Sequence, residues 1–373
     1  MNNLHQEKRR FRDYGLNVGE IPPAKKNFIS DVPGVSVGHK TLIKGEGKLK
    51  VGKGPIRTGI TIILLHTKNI FKHKVRAASF IMNGFGKTTG LPQLNELGTI
   101  ETPIAITNTL NVGKVWDAII DWMIKNNKQI GITQGSVSPL VTECNDGYLN
   151  DIQGRHVSKR DVFSALKQAQ KTTIFEEGNI GAGTGMRVFG LKSGIGSSSR
   201  ELIFDNNKYT VGILVVPNFG RLKDLRILGK PIGKIILNEK ILPQKTNETS
   251  KGSIICIIAT DIPLTHRQLQ RVTKRAVIGI GRTGSYIGNG SGDFIIAFST
   301  KNNISNTNEK VIEKGLMLLN EGKILNKIFR ATIEATEEAI YNAMFQATTL
   351  KGRDNNILYA LPVEEILPFL QKQ

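Results

Sequence analysis

Every side chain from Ile254 to Ala259 is apolar, in the run Ile254-Ile255-Cys256-Ile257-Ile258-Ala259. A run this short and rich in isoleucine reads as a strand. Its lack of polar alternation means that both faces must be covered. Similar runs occur at Gly59–Leu65, Ala78–Met82, Ile104–Thr107, Leu140–Glu143, Tyr209–Val216 and Asp293–Ser299, bounded by Gly or Pro. Helical patterns lie between them. Val115–Ile124 spaces its apolar residues for one helix face. Ser158-Lys159-Arg160-Asp161 reads as a capping box, and Thr265 with Gln268 at N3 reads as the cap of a helix over Arg267–Ile280. Glu309–Leu319 and Ile328–Gln346 read as two more helices, the latter with Ile328, Ala331, Ala335, Ala339 and Ala343 three or four apart. Buried-type strands with several helices predict helices packed on both faces of a two-sheet core.

No proline-rich linker or shift of composition divides the 373 residues, so they are expected to form a single domain. The polar, basic stretch up to about Phe28 reads as a loosely held arm, and Asn238–Lys251 as an exposed loop. Glycine is abundant but clustered, without the period of collagen or the uniformity of a linker.

Lys and Arg number 51 against 31 Asp and Glu, a formal charge of +20 that invites a nucleic-acid reading. The basic residues are dispersed, however. The densest cluster, Lys8-Arg9-Arg10-Phe11-Arg12, comes without zinc-finger spacing, a helix-turn-helix pattern or an aromatic RNA-binding signature. No specific nucleic-acid partner is therefore expected. Cys144 and Cys256 cannot build a disulfide framework. The first residues lack the apolar core of a signal peptide, and no apolar run is long enough to span a bilayer. A cytoplasmic location is the expectation.

Gly252-Ser253 stands directly before the apolar run. The plainer reading is a turn entering a strand. The sharper one is a self-cleavage point. Breaking the peptide bond between these residues would leave Ser253 with a hydroxyl and a free α-amine. Such an amine has a pKa near ~8 and can act as base for its own hydroxyl. Glycine before the serine tolerates backbone conformations that a Cβ forbids and leaves the carbonyl open to attack.

The chain resembles the β-aminopeptidase and L-aminopeptidase/D-amidase/D-esterase family of self-processing serine hydrolases. The resemblance runs from Ile29-Ser30-Asp31-Val32-Pro33-Gly34-Val35 to Ala360-Leu361-Pro362. It is carried by Asn83-Gly84-Phe85-Gly86, Thr102-Pro103-Ile104, Thr107-Asn108-Thr109 and the segment from Glu143 to Asp151. It continues through Gly181-Ala182-Gly183-Thr184-Gly185-Met186, Gly252-Ser253, Arg282-Thr283-Gly284, Ser291-Gly292-Asp293 and Ala297-Phe298-Ser299-Thr300. Each segment is short, and their order makes the match specific.

The resemblance implies a four-layer α-β-β-α sandwich of the aminopeptidase/ornithine acetyltransferase type. The sandwich would be built jointly from fragments 1–252 and 253–373. It implies Ser253 as nucleophile and Ser291 and Asp293 as the Ser-x-acid pair beside it, although relatives carrying Glu there make the reach of the shorter Asp293 a question. Asn218 would donate to the oxyanion. Tyr148 would be a second donor, with Asn145 the alternative in that register. Glu143 would anchor the ammonium of the substrate. Substrates would be peptides, aminoacyl amides or esters, cut after one N-terminal residue without a cofactor. An oligomer of cleaved heterodimers is implied, a tetramer being one such assembly. The preference among α-L, β and D residues depends on pocket shape and is not legible in the sequence.

Competing motifs are weaker. Gly86-Lys87-Thr88 resembles the end of a phosphate loop, but Ile81 stands where that loop needs glycine. Gly181–Gly185 misses the dinucleotide spacing. His5, His39, His66, His73, His156 and His266 show no paired ligand spacing, so no metal is expected. Two other functions compete. One is acyl transfer of the ornithine acetyltransferase type, which uses threonine at the cleavage point where this chain has Ser253. The other is a non-enzymatic basic binding protein with Gly252-Ser253 intact.

Overall fold

The computed structural model describes residues 9–172, 174–243, 252–306, 312 and 314–371. Two sheets dominate it. The four-stranded sheet has the order β1-β2-β5-β6, with β1 at Ser36–Lys44, β2 at Ile56–Leu64, β5 at Ile104–Asn108 and β6 at Leu140–Cys144. The six-stranded sheet has the order β4-β3-β12-β11-β10-β9. Its strands are β3 (His73–Gly84), β4 (Thr99–Ile100), β9 (Gly196–Phe204), β10 (Asn207–Asn218), β11 (Ser253–Thr260) and β12 (Gly292–Ser305). Strands β7 (Arg187–Val188) and β8 (Leu191–Lys192) form a small hairpin, as do β13 (Leu350–Lys351) and β14 (Ile357–Leu358). Helices α2 (Val112–Asn126) and α3 (Lys159–Ala169) pack on the four-stranded sheet. Helices α5 (His266–Arg282) and α6 (Glu321–Phe345) pack on the six-stranded one. Shorter helices are α1 (Leu91–Leu97), α4 (Ile232–Asn238) and α7 (Val363–Gln371).

The layers are α-β-β-α, as the fully apolar strand demands. On β11, Ile255, Ile257 and Ala259 enter the core shared with the four-stranded sheet, while Ile254, Cys256 and Ile258 enter the core under α5 and α6. Both faces of the strand are dry, which is why no polar residue interrupts it.

Both expected caps form. Ser158 accepts from the Asp161 backbone N–H, and Asp161 reaches back to Ser158 N at 2.9 Å. Thr265 and Gln268 do the same for α5.

Two expectations are corrected. Residues 9–28 are packed rather than loose. Phe11 is fully buried with its ring centroid 5.0 Å from that of Tyr341. Arg10 pairs with Glu177 at 2.6 Å and Arg12 with Glu338 at 2.8 Å. Apolar Phe11, Leu16 and Val18 among the basic residues supply the packing that charge concealed. The expected helix Glu309–Leu319 does not form where it is described. Residues 314–319 are irregular. There the Leu316 N–H donates to Asn302 Oδ1 at 3.0 Å and the Leu318 N–H to the Pro263 carbonyl at 3.1 Å, bonds that replace a helical ladder. Its remaining residues 309–311 and 313 lie outside the described residues, as does most of the expected loop, 244–251.

Candidate active site

A cleft of about 260 Å³ opens at the Ser253 end of β11. Ser253 and Gly252 lie on it together with Asn218, Glu143, Tyr148 and Arg187. A larger hollow, of about 330 Å³, lies between residues 64–70 and the end of α2. Its His66 has both ring nitrogens engaged by backbone, the His73 carbonyl at 2.6 Å and the Lys68 N–H at 3.1 Å, so no free base stands there. The chemistry therefore points to the smaller cleft.

Strand pairing sets the geometry. Antiparallel β10 places Asn218 opposite Ser253, and parallel β12 places Gly292 opposite Ser253. The Ser253 hydroxyl donates to the Gly252 carbonyl oxygen at 2.7 Å, and the Gly292 N–H donates to that same oxygen at 3.2 Å. A Cβ at position 252 would stand 2.5 Å from the Asn218 carbonyl oxygen and 2.6 Å from Phe219 Cα, so glycine is required by close approach. A Cβ at position 292 would stand 2.6 Å from Gly86 N and 3.3 Å from Ser253 Oγ. Glycine there keeps the space beside the hydroxyl open.

Ser291 and Asp293 flank Gly292. The Ser291 hydroxyl donates to Asp293 Oδ1 at 2.7 Å, and Asn83 Nδ2 donates to Oδ2 at 2.8 Å. Burial raises the Asp293 pKa, while bonds from Ser291, Asn83 and the Ile254 N–H pull the other way. The Ser253 hydroxyl is turned to Gly252 rather than to Ser291. Asn83 was quoted in the resemblance without a role. Its partner lies 210 positions away, a contact that no local pattern reports.

Asn218 is held at both ends of its amide. Oδ1 accepts from the Arg187 N–H at 3.1 Å, and Nδ2 donates to the Asn145 carbonyl at 3.0 Å. An amide nitrogen carries two hydrogens, so one remains for an oxyanion. Tyr148 lies on the cleft with the Arg187 guanidinium 4.7 Å from its ring centroid. Asn145 lines the cleft as well.

Glu143, at the end of β6, is only 3 % exposed. Oε1 accepts from the Lys87 N–H at 2.9 Å, and Oε2 accepts from the Thr109 hydroxyl. These donors fix its carboxylate at the cleft wall. The sequence assigned no role to Lys87, Thr109 or Arg187: Lys87 lies in the discounted phosphate-loop motif, Thr109 in a segment that carries the resemblance, and Arg187 in no quoted motif.

Among the described residues no group of three His, Cys, Asp or Glu could hold a metal ion, and no helix is long and apolar enough to cross a membrane.

Residues 27–358 match peptidase family S58. A β-peptidyl aminopeptidase, BapA, of Sphingosinicella microcystinivorans is 39% identical, with 97% of this chain and 92% of that protein aligned. The PH0078 protein of Pyrococcus horikoshii OT3 superposes with a TM-score of 0.90 at 52% identity, covering 96% of this chain and 98% of the other. The L-aminopeptidase D-Ala-esterase/amidase of Ochrobactrum anthropi, described as a prototype serine aminopeptidase and a variant of the Ntn-hydrolase fold, superposes with a TM-score of 0.87. It is 35% identical and 96% of each chain is covered. The chain belongs to peptidase family S58 and is a serine aminopeptidase of the Ntn-hydrolase fold.

Proposed function

We propose that the chain matures by cutting itself between Gly252 and Ser253, and that the freed Ser253 then removes single N-terminal residues from short amides, peptides or esters. The observation that carries this reading is the Ser253 hydroxyl beside the Gly252 carbonyl, whose oxygen also accepts the Gly292 N–H. In processing, Ser253 Oγ attacks the Gly252 carbonyl carbon. The C–N bond breaks, the hydroxyl proton goes to the departing amine, and water opens the resulting ester. In turnover, the Ser253 α-amine takes the proton of its own hydroxyl as Oγ attacks the substrate carbonyl, then passes it to the leaving amine. Water releases the acyl group from Ser253.

Asn218 is assigned to the oxyanion, its amide already oriented by Arg187 and Asn145. Tyr148 is a second donor from the same wall. Ser291 and Asp293 orient the nucleophile and its amine through the strand that flanks it. Glu143 receives the ammonium of the substrate. N-terminal β-residues are the first substrates to test, because relatives are named for β-peptidyl substrates. Cytoplasmic residence also belongs to this reading, supported by two buried free cysteines. So does an oligomer of cleaved heterodimers, supported by exposed Leu316, Met317 and Leu319.

A denaturing gel with N-terminal sequencing tests the reading. Wild type gives fragments 1–252 and 253–373, and Ser253→Ala gives one uncut, inactive band. Active wild type that stays full-length overturns it.

A further inference from the structure

Lys192, on β8, is fully buried. Its Nζ donates to the Gly183 carbonyl at 3.2 Å, to the Met186 carbonyl at 3.0 Å and to the Ser193 carbonyl. All three acceptors are neutral backbone groups, so no carboxylate cancels a charge through these bonds. Arg200 on β9, equally buried, is by contrast paired with Glu338 at 2.8 Å. Burial pulls the Lys192 pKa down. A neutral amine, however, has two hydrogens and a lone pair, and a lone pair facing a third carbonyl is repelled. Only the ammonium offers three donors to three acceptors.

The bond to Met186 leads to the cleft. The Met186 carbonyl and the Arg187 N–H belong to one peptide and are joined by its resonance. That N–H donates to Asn218 Oδ1 at 3.1 Å. Asn218 Nδ2 donates to the Asn145 carbonyl at 3.0 Å, which leaves its second hydrogen for an oxyanion. An ammonium that draws electron density toward the Met186 oxygen makes the Arg187 N–H a stronger donor. That bond in turn does the same for the Asn218 Nδ2 hydrogens. The Gly183 and Met186 carbonyls also bracket Gly185, which lines the cleft, so the same ammonium fixes this part of the wall.

We propose that Lys192 is a positioning residue of the oxyanion site, its buried ammonium orienting and polarising the Asn218 amide through the Met186–Arg187 peptide. The inference rests on Asn218 donating to the oxyanion formed at Ser253.

The test compares two inhibitors on fully cleaved enzyme. An aminoalkyl boronic acid forms a tetrahedral anion on Ser253, and the matching amino alcohol does not. The ratio of their inhibition constants reads stabilisation of the anion, and damage common to both inhibitors cancels. Lys192→Gln keeps two donors and loses the charge, whereas Lys192→Met loses both. Each is expected to lower the preference for the boronic acid about tenfold, with kcat falling alike and KM little changed. Asn218→Ala is expected to lower it further, and adding Lys192→Gln to Asn218→Ala to change nothing more. A full preference in Lys192→Gln overturns the inference. So does a Lys192→Gln effect that persists undiminished beside Asn218→Ala, since the charge would then bypass the amide. A full preference in Asn218→Ala overturns the oxyanion reading itself, and the inference with it. Wild type supplies a check that needs no variant to fold. Nitrogen NMR of enzyme made with isotope-labelled lysine should show, at neutral pH, an ammonium whose protons are protected from exchange with water. A neutral buried amine in its place overturns the proposal.

Discussion

In the proposed mechanism, Asn218 would serve two tasks that differ in how much rate they need. Its amide is fixed by Arg187 and Asn145, so losing it removes one prearranged donor. One such donor is worth about 3 kcal/mol of transition-state stabilisation, roughly 100-fold in rate. Asn218→Ala is expected to mature over hours, since self-cleavage occurs once per molecule, while kcat falls about 100-fold with KM little changed. A fully cleaved variant with near wild-type kcat would exclude Asn218 from the oxyanion site.

Asp146, next to Asn145, is a different kind of residue. It is buried, and desolvation pushes its pKa up to about 7 despite hydrogen bonds involving Thr58, Asn108 and Asn150. Its Oδ2 has no partner among the described residues. The unfolded value is near ~3.9, so the folded state favours the protonated form. Its contribution to stability is complete below about pH 4 and is lost as pH rises through 7. Asp146→Asn, which cannot ionise, should therefore gain stability relative to wild type at pH 8 and lose that advantage by pH 4. Denaturation midpoints of the two proteins at both pH values check this. A gain that does not change with pH would show that ionisation is not the cause. The sequence carries no sign of this shift, because burial of one carboxylate is set by three segments meeting around it.

At the scale of elements, what was legible is what depends on neighbours in sequence. Ser158 and Asp161 lie three apart and cap α3 as read. Ser158→Ala in an uncut Ser253→Ala background should cost about 1 kcal/mol, measured as a lower denaturant midpoint. An unchanged midpoint would mean that tertiary packing, rather than the cap, holds this helix end. Strand β9 went unread for the opposite reason. Its opening Gly196-Ser197-Ser198-Ser199-Arg200 looks like a polar loop, yet the serines and Arg200 are completely buried. Ser197 bonds the Ile213 carbonyl, Ser198 the Ala335 carbonyl and Ser199 the Asp31 carboxylate. Arg200 bonds Glu338 at 2.8 Å. Polar residues can form a core strand when their groups are met by partners, which here come from β10, α6 and the N-terminal segment. Arg200 Nε has no hydrogen bond and is met only by the Glu334 carboxylate at 3.5 Å. The small residues of α6, read only as an apolar face, also let that helix lie close to this strand.

At the scale of the molecule, the layered class followed from one strand without polar residues, whereas strand order did not. Nothing near Ser253 in the sequence says that its neighbours are Asn218 and Gly292, and the site exists only because β10, β11 and β12 align their ends. The Gly-Ser step marked the place, and topology supplied the partners.

That topology bears on the proposed cut. In the order β4-β3-β12-β11-β10-β9, the two strands from beyond Ser253 are inserted between strands that precede it. The N-terminal segment adds Phe11 and Arg12 contacts to α6 across the same divide. A cut molecule should stay together on a sizing column and come apart only in denaturant. Before the cut, refolding is a first-order event within one chain. After it, two chains must meet, so the law of mass action enters and recovery of activity after denaturation should fall with dilution. The Ser253→Ala chain should regain its native fluorescence at a rate independent of concentration. Concentration-independent recovery of the cut enzyme would mean that its halves never separated. Maturation would thus turn a reversible folder into an assembly whose denaturation, at high dilution, is one-way.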